Sequence, residues 1–393
     1  MLIFILQTIG GTGDYKETGG GVIHIISLAH EWSKLGNEVH FITNSADKTS
    51  YDNSSPVVIH KVPSYGRSFV IDMYMNFFIQ KREIESIVRS TIRLSQKDSI
   101  ILAASAYPSD VLATFSISRE LGIKSAVYFH HLSPSLLFHP FRRGGLFRTG
   151  YNWLINQLAL LFVKLGGILP CIDYPNAFAK AGWTFKTGYL ESRQFLPKDE
   201  DHLVETGSRE LEACFIGRIA KYKGVIDLLK AWKLVTHSIP GAKLVISGKS
   251  SEGKFTNELI RLRRKLKLEQ NVVFTLHFIT NKEKSSLLSN SRLFVFPSYE
   301  EGWSLGVMEA VLHGALPVTY DLPAYDYLGP TASKVKAGDI RSLARECVYM
   351  LQREAIRHNR VKNMAECISG LESHEIAKSQ YANFESFIEH GRV

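Results

Sequence analysis

Short apolar runs alternate with helical patterns along the first half of the chain. The runs 2–8, 38–43, 99–105 and 125–131 each have the length of a strand and are nearly continuous in apolar residues. The segments 22–36 and 110–122 instead place apolar residues at helical spacing and end on glycine. Apolar strands that alternate with helices predict a parallel sheet covered on both faces.

The second half of the chain starts the same alternation again. Strand-like runs stand at 212–218, 242–248, 271–278, 292–298 and 316–320, and a helical pattern at 224–239 follows the first of them. Two such series predict an α/β protein of two doubly wound domains. We place the first domain at 1–190, a polar linker at 191–210, and the second domain at 211–372.

Length and composition fit two domains. A chain of 393 residues that is 45% hydrophobic can bury a sizeable core, but it is long for one domain. Its formal charge of +9 favours an anionic partner, such as nucleotide phosphates, nucleic acid or an acidic membrane surface. Charge alone does not choose among these partners.

The cysteines and the N-terminus favour a cytoplasmic setting. The four cysteines are scattered and have neither paired nor metal-ligand spacing, which is typical of a reduced compartment. The apolar start "MLIFILQTIGGTG" lacks a basic region and is interrupted at Gly10. It therefore predicts a first buried strand, not a signal peptide.

Two cations follow the first strand of the second domain. In "FIGRIAKYKGVIDLL", Gly217 ends the strand, and Arg218 and Lys223 precede a helix that starts near Gly224. Cations beside a helix N-terminus form an anion site that suits a diphosphate. A solvated basic loop without a ligand is the alternative.

Acidic residues mark a second loop, in "FPSYEEGWSLGVMEA". Glu301 and Gly302 follow the strand at 292–298, and Glu309 lies just over one turn inside the next helix. Gly302 lets backbone N–H groups approach a ligand, while Glu301 and Glu309 could accept hydroxyls of a sugar and a ribose. The alternative is that these acids only interact with the positive end of the helix dipole and bind no ligand. Glu309 argues against it, because a carboxylate among apolar neighbours is costly to bury without a partner.

Two segments of the first domain carry further candidates. His130 and His131 end the strand "SAVYFHH", where a histidine more often packs or caps than takes part in chemistry. The run "GGTGDYKETGGG" contains no clean G-x-G-x-x-G and is too long for a dinucleotide turn. It fits a phosphate or acceptor loop that ends at a helix N-terminus near Gly20 and Gly21.

Together these segments resemble the retaining GT-B glycosyltransferases of family 4. The most specific match is the E-x7-E element, here Glu301 to Glu309 in "PSYEEGWSLGVMEAVLHGALPV". "FIGRIAKYKG" is similar to the family's G-R-x-x-x-x-K-G element, "YFHHLSP" to its strand-end histidine segment, and "TGGG" to its N-terminal glycine loop. The resemblance covers almost the whole chain and is strongest over 212–330.

The resemblance implies a role for each site residue. The donor diphosphate would contact Gly217, Arg218 and Lys223, and the ribose would contact Glu309. The donor sugar would contact Glu301, Gly302, Trp303, Ser304 and Leu305. Catalysis would involve His130, with His131 in second place, and Glu301. The acceptor or phosphate loop would contain Gly19, Gly20 and Gly21.

The resemblance also implies an architecture of two facing Rossmann-like domains with a deep cleft between them. The end of the chain, 373–393, would be a helix that crosses back to the first domain, with His374 where the family often has Trp. Two segments depart from the family. The run 271–278 lacks the usual glycine near the base, and "TGYLE" at 187–191 replaces Asn-Gly-Val-Asp, so the base identity stays open.

The implied reaction moves a sugar from a UDP- or GDP-sugar to a hydroxyl of a lipid-linked or saccharide acceptor, in cell-envelope glycan or glycolipid synthesis. Retention would proceed by front-face attack, and the leaving diphosphate would accept the acceptor proton. The first domain offers no second well-placed carboxylate like the paired acids of retaining glycosidases. No D-x-D element ends a strand, so we expect no metal and no cofactor besides the nucleotide sugar, which is a co-substrate.

Other functions fit the sequence less well. A non-catalytic GT-B scaffold of a glycosylation complex is the main alternative, and the intact Arg218, Lys223, Glu301 and Glu309 argue against it. An NAD-dependent enzyme or epimerase would need a G-x-G-x-x-G turn and an acid at the end of the second strand, which here reads "FITNSAD". Nucleic-acid binding has no motif in the chain.

The segment 139–169 allows two interpretations. Arg142, Arg143 and Arg148 precede a 19-residue stretch, 151–169, whose only charge is Lys164. A buried helix of the first domain is the commoner outcome for such a stretch. Alternatively, the arginines and the aromatic residues Phe141, Phe147 and Trp153 contact an anionic membrane surface. The protein would then be cytoplasmic and peripheral at the inner face of the cell membrane.

Overall fold

The structure, a computed structural model, divides the chain into two compact units. The first unit contains the described residues up to 191 together with 373–393, and the second contains 209–369. Most of the predicted linker lies outside the described residues, so its limits stay a prediction. The described residues are 1–8, 20–45, 56–63, 69–95, 98–130, 146–172, 178, 182–191, 209–249, 253–277, 279–369 and 373–393.

A seven-stranded sheet forms the centre of the first unit. Its strands are β1 (Leu2–Gln7), β2 (Glu38–Asn44), β3 (Val58–Val62), β4 (Ser99–Ala103), β5 (Lys124–Phe129), β6 (Leu169–Ile172) and β7 (Leu190–Glu191). Its helices are α1 (Gly20–Lys34), α2 (Phe69–Ser95), α3 (Pro108–Leu121) and α4 (Leu146–Gly166). The four strands predicted in this half are confirmed, with ends that differ by at most two residues, whereas β3, β6, β7 and α2 were not predicted.

All pairings in this sheet are parallel, in the order β3-β2-β1-β4-β5-β6-β7. Every residue of β1 and β4 is buried, which explains why their sequences are apolar runs and not alternating patterns. The strand order runs outward from β1 in both directions. Open α/β sheets bind ligands beyond the carboxyl ends of the strands that flank such a switch point, here β1 and β4.

The second unit repeats the design with a six-stranded parallel sheet. Its strands are β8 (Leu211–Ile216), β9 (Leu244–Ser247), β10 (Val272–Thr275), β11 (Ser291–Phe296), β12 (Leu316–Tyr320) and β13 (Ser333–Val335). Its helices are α5 (Val225–Ser238), α6 (Gly253–Lys265), α7 (Asn281–Asn290), α8 (Leu305–Leu312), α9 (Ile340–Leu351) and α10 (Glu354–Ile368). Short 3-10 turns at Lys221–Lys223 and Pro323–Leu328 complete it.

The strand order of the second sheet is β10-β9-β8-β11-β12-β13. It again runs outward in both directions, and the switch point lies between β8 and β11. Both strands end where the sequence places its candidate residues. The loop after β8 carries Arg218 and Lys223, and the loop after β11 carries Glu301.

A helix at the end of the chain, α11 (Ser373–His390), packs in the first unit. The indole Nε1 of Trp32, on α1, donates to the carbonyl of Ala377 at 3.1 Å, and its ring meets Phe384 edge to face with centroids 5.4 Å apart. The Tyr128 hydroxyl donates to Gln380 at 3.3 Å. Because these side chains are buried, the last helix is part of the first unit's core.

Helix α4 has one buried and one exposed apolar face. Ile155, Ala159, Leu160 and Val163 pack in the core of the first unit. Along the other face, four leucines are 43–74% exposed, namely Leu154, Leu158, Leu161 and Leu165. Within the part of the chain that the structure describes, no helix is long and apolar enough to span a membrane. The segment is thus partly a core helix and partly an apolar surface.

Candidate functional site

Backbone contact brings together the strand ends of the second unit. Gly217 follows β8, and its N–H donates to the carbonyl of Ser247 at the end of β9, at 3.0 Å. Gly248 has a φ of +146°, and a Cβ at this position would lie 1.8 Å from the Gly217 carbonyl oxygen. Only glycine permits this approach, so the carboxyl ends of β8 and β9 meet without side chains between them.

A second glycine joins the cationic loop to the acidic loop. Gly224 has a φ of +71°, and a Cβ there would lie 1.9 Å from the carbonyl oxygen of Pro297. The Tyr299 N–H donates to the carbonyl of Tyr222 at 2.8 Å. The loop after β8 is therefore held against the loop after β11 by main-chain contacts.

Lys223 and Glu301 form an ion pair across these two loops. The Lys223 Nζ lies 2.5 Å from Glu301 Oε1, and the two side chains are only 14% and 9% exposed. The ammonium also lies 4.9 Å from the centroid of the Phe296 ring. The sequence analysis assigned these residues to different parts of a donor, and the structure places them in direct contact. Arg218, the other predicted cation, is exposed at the same sheet edge.

The segment 302–305 leads from the acidic loop into α8. Trp303 is 8% exposed and stacks on Tyr327, with centroids 4.3 Å apart, and its Nε1 donates to the Met308 sulfur at 2.8 Å. The Trp303 indole therefore packs within the second unit, against Tyr327 and Met308. Ser304 precedes Leu305 at the start of α8, and its side chain makes no capping hydrogen bond. What 302–305 can offer a ligand is chiefly backbone N–H groups at a helix N-terminus.

Glu301 also affects a buried tyrosine beside this segment. Burial, and then the nearby charge of Glu301, raises the pKa of the Tyr325 hydroxyl well above its ordinary value. Tyr325 is fully buried in the 3-10 turn after β12. The charge of Glu301 thus helps to keep the Tyr325 phenol neutral, while Lys223 pairs with the carboxylate itself.

Glu309 lies on α8 and is 8% exposed. Its Oε1 is 2.5 Å from the Nζ of Lys284, on α7, and the two side chains are 10% and 20% exposed. Lys284 was missed in the sequence analysis. The capping box of Thr280 and Glu283 indicates from the sequence where α7 starts. It does not indicate that Lys284 pairs with Glu309, which is 25 residues away.

In the first unit, Gly21 and His130 meet. A Cβ at Gly21 would lie 2.6 Å from His130 Cδ2, so the imidazole packs directly on the backbone at the start of α1. The His130 Nε2 lies 2.9 Å from the carbonyl oxygen of Ala104. Since a carbonyl only accepts, Nε2 carries the proton in this contact. Gly20 is the first residue of α1, whereas Gly19 and His131 lie outside the described residues.

His24, one turn into α1, was not singled out from the sequence. Its ring lies 6.4 Å from both the Tyr128 and the His130 rings. Burial, and then the charge of His130, lowers the pKa of His24 well below its ordinary value. His24 therefore stays neutral near pH 7.

Asp110 is a third residue that the sequence analysis missed. It is fully buried near the start of α3 and accepts from the Thr8 N–H at 2.9 Å, the Thr8 hydroxyl at 2.5 Å and the Ser105 hydroxyl at 2.5 Å. Burial raises the pKa of Asp110 to about 6, although the hydrogen bonds from Ser105 and Thr8 oppose the shift. The carboxyl group thus joins Thr8, after β1, to Ser105, after β4.

The sheet edges offer anion-binding and hydroxyl-binding groups. Among the described residues, no group of three or more His, Cys, Asp or Glu side chains is placed to hold a metal ion. In the second unit, the cations Arg218 and Lys223 suit phosphate, and the carboxylates Glu301 and Glu309 suit hydroxyls. This combination fits a nucleotide sugar.

Two family descriptions match the chain. Residues 18–163 match "Glycosyltransferase Family 4", and residues 199–366 match "Glycosyl transferases group 1". The chain belongs to the family 4 type of GT-B glycosyltransferases. The first match covers much of the first unit of this glycosyltransferase and the second match covers most of its second unit, including both loops described above.

Curated relatives are named as glycosyltransferases. An uncharacterized glycosyltransferase of Haemophilus influenzae is 24% identical over 323 residues, which are 80% of this chain and 78% of the relative. The capsular polysaccharide biosynthesis glycosyltransferase CapM of Staphylococcus aureus is 28% identical over 177 residues, 43% of this chain and 45% of CapM. The second similarity therefore concerns only part of each protein.

Solved structures share the fold of this glycosyltransferase. Sucrose-phosphate synthase from Thermosynechococcus elongatus superposes with a TM-score of 0.76 and 16% identity, over 99% of both chains. Anabaena HepE, in complex with UDP and glucose, gives a TM-score of 0.73 and 13% identity over 98% of this chain and 100% of HepE. The predicted GT-B fold class is confirmed, and identities this low establish the fold alone.

We expect the stability of this glycosyltransferase to depend on pH through Asp110. Because its folded pKa is raised, its contribution is full below the unfolded pKa of 3.8 and is lost as the pH rises through about 6. From about pH 4.5 to about pH 7.5, the free energy of unfolding of the wild type should fall by about 2 kcal/mol relative to Asp110→Asn. Urea unfolding across this range measures the difference.

The matched control is Asp98→Asn, an exposed aspartate of the same unit, which should follow the wild type. If the wild type and Asp110→Asn lose stability in parallel with pH, the buried carboxyl group does not titrate in this range and the interpretation is wrong.

Proposed function

We propose that this glycosyltransferase moves a sugar from a nucleoside-diphosphate sugar to a hydroxyl acceptor, with retention of configuration and without a metal ion. The observation that carries the proposal is the E-x7-E segment, which places Glu301 beside Lys223 at a sheet edge and Glu309 as a buried carboxylate on the following helix. The complex of HepE with UDP and glucose supports a UDP-sugar as the first donor to test, with a GDP-sugar as the alternative.

The Lys223–Glu301 pair suggests how the donor is recognised. Without a ligand, the carboxylate neutralises the ammonium at 2.5 Å. Sugar hydroxyls would donate to Glu301, and Lys223 could then share its remaining N–H donors with the diphosphate. Arg218 would supply a second, planar donor group. Stabilising the charge that develops on a leaving diphosphate is electrostatic catalysis, and these two cations would provide it.

His130 is proposed to act at the donor sugar. Its Nε2 contacts the Ala104 carbonyl oxygen at 2.9 Å, which holds the ring at the carboxyl edge of the sheet. The acceptor is proposed to be lipid-linked or a saccharide. The partial similarity to CapM, which is named for capsular polysaccharide biosynthesis, supports a role in cell-envelope glycan synthesis.

The first prediction from this proposal concerns nucleotide binding. UDP at a hundred times its dissociation constant should stabilise the protein by about 2.7 kcal/mol, which a thermal melt detects. Arg218→Ala and Glu309→Gln should each weaken UDP binding by about tenfold, since each loses a hydrogen bond to a charged group. GDP, ADP and CMP are compared in the same series.

Lys230→Ala is the control for Arg218→Ala, because Lys230 is exposed on α5 of the same unit. A wild type that responds to none of these nucleotides would contradict the donor-site proposal. It would instead favour a non-catalytic GT-B scaffold.

The second prediction concerns stereochemistry and metal. Without an acceptor, the enzyme should slowly transfer the donor sugar to water, and proton NMR of the first product should show the anomer present in the donor. Addition of EDTA should leave the rate unchanged, since Arg218 and Lys223 neutralise the diphosphate. Release of the opposite anomer would exclude retention, and loss of activity that Mg²⁺ restores would exclude a metal-independent reaction.

We also propose that an anionic membrane surface presents the acceptor. The supporting observation is the row of Leu154, Leu158, Leu161 and Leu165, which are exposed at helical spacing along α4. The aromatic residues named in the sequence analysis contribute less to this surface: Trp153 is half-buried, and the side chains of Phe141 and Phe147 are not described. Apolar side chains on one helix face, preceded by arginines in the sequence, are typical of an interfacial helix.

Vesicle sedimentation tests this surface. The protein should bind vesicles that contain phosphatidylglycerol more strongly than vesicles of phosphatidylcholine alone, and salt should weaken the binding. Leu158→Asp combined with Leu165→Asp should abolish it, whereas Leu234→Asp, at a leucine 41% exposed in the second unit, should not. If the wild-type protein binds neither kind of vesicle, the membrane proposal is wrong.

A further inference from the structure

Lys284 and Glu309 form a largely buried ion pair in which only the carboxylate belongs to a motif recognised in the sequence. Glu309 is part of the E-x7-E element, whereas Lys284 lies on α7, outside the four motifs quoted for the family resemblance. The Nζ–Oε1 distance is 2.5 Å, and the two side chains are 20% and 10% exposed. The pair therefore lies at the position where the proposed function places a ribose.

We infer that Lys284 is a specificity-determining residue that, together with Glu309, recognises the vicinal hydroxyls of the donor ribose. This inference rests on the proposed function, because it assumes that a nucleotide binds beside Glu309. It names Lys284 as a second ribose-binding group and predicts how the enzyme discriminates ribonucleotides from deoxyribonucleotides.

The chemistry of the two groups is complementary to a diol. A carboxylate only accepts hydrogen bonds, through two oxygens with about four lone-pair sites, and an ammonium only donates, through three N–H groups. Their mutual contact uses one N–H of Lys284 and one site on Glu309 Oε1. Each ribose hydroxyl is both a donor and an acceptor, so it can donate to Glu309 and accept from Lys284 at once.

Because the pair is largely buried, it can discriminate a ligand that has the ribose hydroxyl from one that lacks it. A site that is built to bind a hydroxyl rejects an analogue without it, because the buried polar groups then lose a partner. With Glu309 alone, a missing hydroxyl would leave one acceptor site unused. With Lys284 beside it, an ammonium donor would be left unpaired as well. Removing Lys284 should therefore reduce the preference for ribose more than it reduces binding in general.

The test is the ratio of the dissociation constants of 2′-deoxy-UDP and UDP, measured by calorimetry. In the wild type this ratio should be about tenfold or more, and in Lys284→Met it should fall several-fold toward one. Lys282→Met is the matched control, because Lys282 is exposed on the same helix, and its ratio should equal that of the wild type. A residue that only neutralises Glu309 for stability would weaken both ligands equally and leave the ratio unchanged.

Each outcome decides the inference. If UDP binds and the ratio is the same in the wild type and Lys284→Met, Lys284 does not recognise the ribose, and the proposed function still stands. A wild-type ratio near one overturns the inference as well. If the wild type binds no nucleoside diphosphate, the proposed function and the inference both fail. Should Lys284→Met not fold or not bind, Lys284→Arg replaces it, since a planar guanidinium cannot reproduce the ammonium geometry and should also lower the ratio.

Discussion

The second unit depends on one backbone contact, the approach of Gly224 to the carbonyl of Pro297. A Cβ at Gly224 would lie 1.9 Å from that oxygen, and the positive φ of the residue disfavours any side chain there. The contact fixes the loop after β8 against the loop after β11. It thereby determines that Lys223 meets Glu301 and that two chemically opposite groups share one sheet edge. A recognition site for a molecule with both phosphate and hydroxyl groups needs this juxtaposition.

In the first unit, a side chain, and not a glycine contact, joins two strand ends. Asp110 accepts hydrogen bonds from Thr8 and Ser105, and so it ties the end of β1 to the end of β4 across the switch point of the sheet. On the neighbouring strand end, His130 packs on the backbone of Gly21 and is held through Nε2 by Ala104. Each feature orients a group at the carboxyl edge of the sheet by contacts with buried main chain, which is more rigid than a surface loop.

Much of this arrangement could be predicted from the sequence, because burial on both faces leaves unbroken apolar strands, and because the E-x7-E spacing places Glu301 in a loop and Glu309 on a helix. The lysines that pair with these carboxylates could not be predicted from the sequence. Lys284 is 25 residues from Glu309, and nothing in a helical pattern indicates which neighbouring helix a lysine faces. Asp110 lies in an ordinary helix start, where an acid is expected for capping, so its burial shows only in three dimensions.

The donor binding proposed above would account for two largely buried ion pairs, Lys223–Glu301 and Lys284–Glu309, that stability alone does not require. Removing two charges from water costs several kcal/mol per ion, and well-packed apolar residues of similar volume are often as stabilising as a buried pair. A unit that needed only stability at these positions would lose nothing with apolar side chains. Yet Lys223–Glu301 and Lys284–Glu309 both stand in the segments that surround α8, with carboxylates 9% and 10% exposed. In such low-polarity surroundings each hydrogen bond to a ligand is stronger than in water, and an incorrect ligand leaves a charge unpaired. Under the proposed function, the same burial that makes these pairs costly in the free protein would make them selective for their ligand.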